Sequence, residues 1–508
     1  MQELTFIFML DKIKSLSKQT LIYGTSTIIG RFLNFILVPF YTNVFPPAEY
    51  GIITLVFAYT ALLNIFFTIG FESGYFKFAS TLEIGDKKEN FSLPFLTIFI
   101  NSLVLSSVIY SFSSDFSVLI GIGRNYSYFI SYTAFILFFD AISLVPFAYL
   151  RLNNRPGVFA SIKIANIVVN VTLNFVLVLY FKMGLISVFI GNVAASAVTF
   201  LLLLPFISKN LVFRFNKELF RELWKFSIPY VPAGLASIMV QVINRPIMLM
   251  LTDETTVGIF QANFKLGIFM MLIVSMFEYA WRPFFLNNAK EPDAKQLFSK
   301  VMTVFTGFAS IVLIVLAFFI EDLIKIPLPH RGHLIGAKYW GGVYIVPVIL
   351  FSYLIYGIYI NLMAGIYIEK KTKYLPYITG LGATINIAGN FLLIPTFGMQ
   401  GAAAATFLSY LSMTLYLYFI SQKYYPVKYE LKKIFVINLI NIAAIAYFYM
   451  SFYQLVSSNI VLKLILMHGL MFTVIYLSGL KKVKVLFRKS ASKPAEQVKP
   501  EADDDLLV

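Results

Sequence analysis

Apolar stretches recur along the chain at about 17–44, 50–76, 92–113, 126–150, 157–181, 184–207, 225–252, 256–286, 300–320, 342–368, 374–396, 399–422, 434–453 and 459–480. A helix crosses the hydrocarbon core with roughly 20 residues, and each run supplies about that many. Strands of a membrane barrel are about half as long and alternate strictly, which these runs do not. A helix also satisfies its own backbone hydrogen bonds where lipid offers no partner. The pattern predicts an all-α polytopic membrane protein with about 14 transmembrane helices.

Composition sharpens this reading. The 508 residues are 59% hydrophobic and 13% charged, against about 25% charged in soluble domains, so a soluble enzyme is excluded. The absence of cysteine removes disulfides, thiolate metal sites and cysteine nucleophiles together. The formal charge of +16 would suggest nucleic acid in a soluble protein, but here it follows topology. Assigning loops alternately to two sides puts 29 Lys and Arg on one side, five on the other and seven within spans. Cations concentrate in cytoplasmic loops, so both termini are expected in the cytoplasm. The opening "MQELTFIFMLDKIK" has no basic n-region and no small-residue cleavage site, so no cleaved signal peptide is expected. The tail at 485–508 is polar and is expected to be disordered.

The chain also repeats itself. An ungapped offset of 207 places Tyr23 on Tyr230, Pro39 on Pro246 and "YGI" at Tyr50 on "VGI" at Val257. Later "NVTLNFVLV" from Asn170 falls on "NIAGNFLLI" from Asn386, with Gly184 and Gly401 following, at an offset of about 216. Six spans therefore repeat as six spans in the same orientation. The expected organisation is a cytoplasmic segment at 1–16, an N-lobe at 17–207, a cytoplasmic linker at 208–224, a C-lobe at 225–422, and two further helices within 434–480. Asparagine and glycine at these positions serve close helix packing and interhelical hydrogen bonds as readily as function.

The segments "YGTSTIIGRFLNFILVPFYTNVFPPAEYGI", "GFESGYFKF", "FSIPYVPAGLASIMVQVINRPIMLMLTDETTVGIFQANFKLG" and "YAWRPFF" resemble the polysaccharide transporter branch of the multidrug/oligosaccharidyl-lipid/polysaccharide exporter superfamily, the Wzx-type flippases. The resemblance covers about residues 15–480. It implies two lobes around a central cavity, open alternately to the two sides of a bacterial plasma (inner) membrane. The implied cargo is an oligosaccharide linked to prenyl pyrophosphate, with membrane lipid and polysaccharide assembly proteins as partners. Many relatives carry Asp before the arginine of the seventh span; this chain has Asn244 before Arg245, which weakens any ion-coupling role there.

Charges inside the membrane are costly and usually face a bundle interior or a water-filled path. The cations within spans are Arg31, Lys77, Lys163, Arg245, Lys265, Arg282 and Lys463, against Glu72, Asp140 and Glu278. The balance of +4 suits an anion. Arg31, at the middle of the first span, is too deep to snorkel, and with Arg245, Lys265 and Lys163 it forms the candidate cationic cavity. Guanidinium groups meet phosphate oxygens bidentately and lysine adds a point charge, which suits the implied pyrophosphate. Glu72 and Glu278 are within reach of Lys77 and Arg282 as local ion pairs. Asp140 is either a protonatable coupling group or the partner of Arg31 or Lys163. Lys463, near one end of the last span, is expected to snorkel.

Other chemistry is poorly supported. His330 and His333 form an H-x-x-H pair in "PLPHRGHLIGAKYW", but no third ligand is near, so no metal site is expected. "GLGATINIAG" from Gly380 lies in a span without a preceding strand, so no dinucleotide cofactor is expected. The short loops lack the clustered acids or arginines of a polysaccharide polymerase, and the chain is not expected to be an enzyme. A cavity for cationic drugs should be acidic, which disfavours a multidrug antiporter. A peptidoglycan-precursor flippase shares the prenyl-pyrophosphate chemistry and stays open as an alternative.

Overall fold

The computed structural model describes residues 35–328, 332–456 and 459–480. Arg31, most of the first predicted span, the 1–16 segment, His330, Arg331 and the tail lie outside the described residues. Twelve helical stretches among the described residues are long and apolar enough to cross a membrane. One of them, Thr372–Tyr424, is two spans read as one across the non-helical residue Gly398, and Phe35–Val44 is the described part of the first span. The chain is an all-α polytopic membrane protein. A two-residue antiparallel ribbon pairs Pro327 and Leu328 with His333 and Gly332 in the loop after Ala294–Ile324.

Helix ends are set by local chemistry. Asp86 opens Lys87–Ser111 with a capping box: its Oδ1 accepts from the N–H of Lys88 and of Glu89, both at 2.8 Å, while Glu89 Oε2 accepts from Asp86 N–H at 3.1 Å. Such reciprocal bonds satisfy helix donors that have no intrahelical partner. Asn216 and Asp253 likewise cap Lys217–Ser227 and Glu254–Phe264. The second span is broken between Pro47–Thr68 and Phe71–Thr81 by Ile69 and Gly70, both at positive φ.

The two halves fold alike. In the fifth span Asn174 Nδ2 donates to Asn170 O at 2.8 Å and to Asn170 Oδ1 at 3.0 Å. In the eleventh, Asn390 Nδ2 donates to Asn386 O at 2.7 Å and to Asn386 Oδ1 at 2.9 Å. The turns that follow use a positive φ at corresponding places, Lys182 at 52° and Gly398 at 53°. The glycines singled out in the sequence differ: Gly184 lies in the turn at positive φ, whereas Gly401 is helical.

The last two helices, Leu431–Phe452 and Ile460–Ser478, pack on Ala294–Ile324 around a separate apolar cluster containing Ile314, Phe318, Ile437 and Met467. Asn441 Nδ2 donates to Ser310 Oγ at 2.8 Å within this contact. Lys463 does not snorkel free: its ammonium meets Asp322 Oδ2 at 2.6 Å. The linker helix Lys217–Ser227 lies against Phe71–Thr81, with Phe71 and Trp224 edge to face at 5.3 Å.

The two sequence repeats, called the N-lobe and C-lobe below, pack closely at one end of the bundle, called the distal end. There Pro47–Thr68 crosses Glu254–Phe264 at Gly51 and Gly258. A loop of the C-lobe closes over the same end. Asn43 Nδ2 donates to His333 O at 2.6 Å and Asn43 Oδ1 accepts from His333 N–H at 3.1 Å. Gly336 N–H donates to Thr42 Oγ1 at 3.1 Å, and Tyr339 Oη donates to Phe45 O at 2.9 Å.

Candidate functional site

Directly beneath this distal seal is a cavity of about 280 Å³ between the lobes. The first, second, fifth and sixth spans supply its N-lobe wall with Tyr41, Tyr50, Thr54, Asn170 and Asn192 among others; Arg245, Gln261 and Lys265 form the C-lobe wall. Two spans of the C-lobe carry this wall. In the seventh, Tyr230–Val242 continues through the helical residue Ile243 into Asn244–Leu251, which brings Arg245 to the cavity. The eighth passes from Glu254–Phe264 into a tighter turn at Lys265–Gly267.

Arg245 Nε donates to Gln261 Oε1 at 2.7 Å. That bond fixes the guanidinium plane and leaves the terminal amino groups for a ligand. Arg245 and Lys265 thus put two like charges on one wall, and none of the described residues lining the cavity is acidic. Neighbouring cations without a carboxylate are the electrostatic signature of an anion site.

The other predicted charges go elsewhere. Asp140 accepts from Ser196 Oγ at 2.7 Å, and Lys163 is the cation whose charge acts on it. Lys163 itself sits over the Phe147 ring at 4.3 Å. Both residues are exposed, and neither lines the cavity beside Arg245. Glu72 is ion-paired with Arg151, not with Lys77, whose ammonium lies 4.8 Å from the Phe226 ring centroid. The reason is geometric: Phe71–Thr81 turns Glu72 toward Ser127–Leu152 and Lys77 toward the linker helix. Glu278 and Arg282 line a small crevice with Tyr367, to whose hydroxyl Arg282 Nη2 donates at 3.0 Å. No group of three or more metal-ligating side chains occurs among the described residues.

Gln261, Tyr50, Thr54 and Asn192 were not legible in the sequence as site residues, since a neutral polar residue in a span has no distinctive signal. Asn170 has one, the N-x-x-x-N-F repeat, although that pattern serves helix packing as readily as a site.

The sequence model of a family described as "Polysaccharide biosynthesis protein" matches residues 16–289, more than half of the chain. The chain belongs to that family. No curated protein matches it. Among solved structures it is similar to the lipid II flippase MurJ in an inward closed conformation, with a TM-score of 0.72 and 16% identity over 92% of this chain and 100% of that one. An inward-facing multidrug resistance MATE family transporter of the MOP superfamily gives 0.60 and 12% over 80% and 97%. The Vibrio cholerae MATE transporter VcmN gives 0.51 and 14% over 81% and 97%. At these identities the likeness is one of fold.

Proposed function

We propose that this chain is a flippase that moves an oligosaccharide linked to prenyl pyrophosphate from the cytoplasmic to the outer leaflet of a bacterial plasma membrane, with both of its termini in the cytoplasm. The observation that carries the reading is the presence of Arg245 and Lys265 on one wall of a cavity between the lobes with no acid among its described lining residues. A pyrophosphate cannot enter a low-dielectric core without compensating charge, and these two cations supply it. Arg31 is assigned as a third contact from the first span. The cavity is at or below the lower end of ordinary small-ligand pockets, about 300–1,000 Å³, so it suits the pyrophosphate end of the cargo, with the prenyl tail left in lipid. The alternation of access closes the Gly51–Gly258 crossing when the cavity faces the cytoplasm.

A strain lacking the chain should accumulate lipid-linked oligosaccharide. The Arg245→Ala plus Lys265→Ala variant should reach the membrane at normal levels and fail to restore export; normal export by that variant overturns the assignment. The peptidoglycan precursor, the cargo in the name of one structural relative, shares the same lipid pyrophosphate. The sugars of the accumulated intermediate separate the two cargos.

A further inference from the structure

The two repeats line the cavity with different chemistry. At the offset of 207, Arg245 corresponds to Val38, Lys265 to Ala58 and Gln261 to Thr54, so the cationic wall has no counterpart in the N-lobe. What the N-lobe has instead is a relay of hydrogen bonds. Tyr41 Oη donates to Asn174 Oδ1 at 2.7 Å, and Asn174 Nδ2 donates to Asn170 Oδ1 at 3.0 Å. With its oxygen engaged, Asn170 at the cavity keeps an NH2 group that bonds no protein atom among the described residues.

The C-lobe shows that this arrangement is not a by-product of the repeat. Its Asn390–Asn386 pair makes the same inner bond, but Tyr41 corresponds to Met248. Asn390 Oδ1 is consequently buried without a hydrogen-bond partner, and Asn386 Nδ2, like Asn170 Nδ2, bonds no protein atom among the described residues. The N-lobe relay is satisfied at its buried end and open at the cavity. On the same wall Asn192 donates from Nδ2 to Val188 O at 2.7 Å, which leaves its Oδ1 as an acceptor at the cavity.

We infer that the N-lobe wall is a sugar subsite, in which the Asn170 amide donates to, and the Asn192 carbonyl accepts from, the hydroxyl or acetamido groups of the sugar attached to the pyrophosphate. This rests on the proposed function and adds the division of labour: C-lobe for phosphate, N-lobe for the first sugar. A neutral donor and acceptor fixed beside aromatic rings match a pyranose, whose hydroxyls both donate and accept, and a preorganised relay lowers the entropy cost of holding it.

The test is binding of two probes to the purified full chain: undecaprenyl pyrophosphate, and the lipid-linked oligosaccharide extracted from the deletion strain. The wild type should hold the glycolipid more tightly. Asn192→Ala and Asn170→Ala should each weaken glycolipid binding about three- to tenfold, the scale of one neutral hydrogen bond, and leave the bare lipid unchanged, while Arg245→Ala weakens both. Tyr41→Phe, which breaks the relay while keeping the aromatic ring in the cavity wall, should reproduce part of the Asn170→Ala loss, and thermal unfolding in detergent verifies the fold of each variant. If the folded asparagine variants weaken both probes equally or neither, the sugar subsite is wrong while the flippase reading stands. If neither probe binds the wild type, the flippase reading falls and the subsite with it.

Discussion

Gly51 and Gly258, repeat-related positions, contact one another across the interface between the lobes. A Cβ added to Gly51 would overlap the Glu254 carbonyl oxygen and lie 3.1 Å from Gly258 N; one added to Gly258 would overlap the Pro47 carbonyl oxygen and lie 3.0 Å from Gly51 N. Pro47 and Glu254 are themselves related by the same offset, so the crossing is a pseudo-two-fold contact in which each half supplies the same pieces. Only glycine permits backbones to approach this closely.

A side chain at either position should therefore hold the distal end apart. Because the chain has no cysteine, Thr54→Cys introduces a single thiol into the cavity. In the Gly258→Val background a membrane-impermeant maleimide added outside should label that thiol several-fold faster than in its absence. Equal labelling in the two backgrounds would show that the crossing does not seal the cavity.

Gln261 acts through Arg245. Replacing it with Leu removes a hydrogen bond to a charged group, worth about 1.5–3 kcal/mol, and should weaken pyrophosphate-lipid binding by roughly ten- to a hundredfold. Gln261→Glu keeps the acceptor but brings a negative charge to the wall, so binding of the anionic lipid should fall further than in the Leu variant. A Leu variant that binds as the wild type does would remove Gln261 from the site.

The ion pair between Lys463 and Asp322 is lopsided, with the lysine side chain 11% exposed and the aspartate 62%. Asp322→Ala strands a buried ammonium, while Lys463→Met leaves a carboxylate that water can reach. Breaking a fully buried pair costs about 3–5 kcal/mol, and solvent at the aspartate should bring the cost of Asp322→Ala down to about half of that. Thermal unfolding in detergent should show Asp322→Ala as clearly the more damaging; equal losses would mean that the pair is merely a surface contact.

The two repeat turns predict opposite responses to exchange. Gly398, at φ 53° and ψ −132°, occupies a region that side chains avoid, and Gly398→Ala should cost about 1–3 kcal/mol. Lys182, at φ 52°, carries a side chain in left-handed backbone, and Lys182→Gly should be neutral or stabilising. Melting temperatures of the two variants moving in the same direction would contradict the equivalence of the turns.

Most of the fold was legible in the chain itself, because lipid imposes a single local solution. A run of about 20 apolar residues must be a helix. The repeat was visible because matched lobes keep matched packing residues, such as Gly51 with Gly258 and Asn174 with Asn390. The presence of costly cations was equally plain. Their companions were not. Arg245 and Lys163 are alike in sequence, each a lone cation within a span, yet Arg245 meets Lys265 and Gln261 at the lobe interface while Lys163 lies with Asp140 in the N-lobe. Glu72 passes over nearby Lys77 for Arg151, and Lys463 reaches Asp322 on the ninth span. Helical periodicity determines which residues share a face. The rotation of each helix about its axis, and the neighbour that face meets, follow from side-chain packing among all the spans, which only the tertiary structure decides.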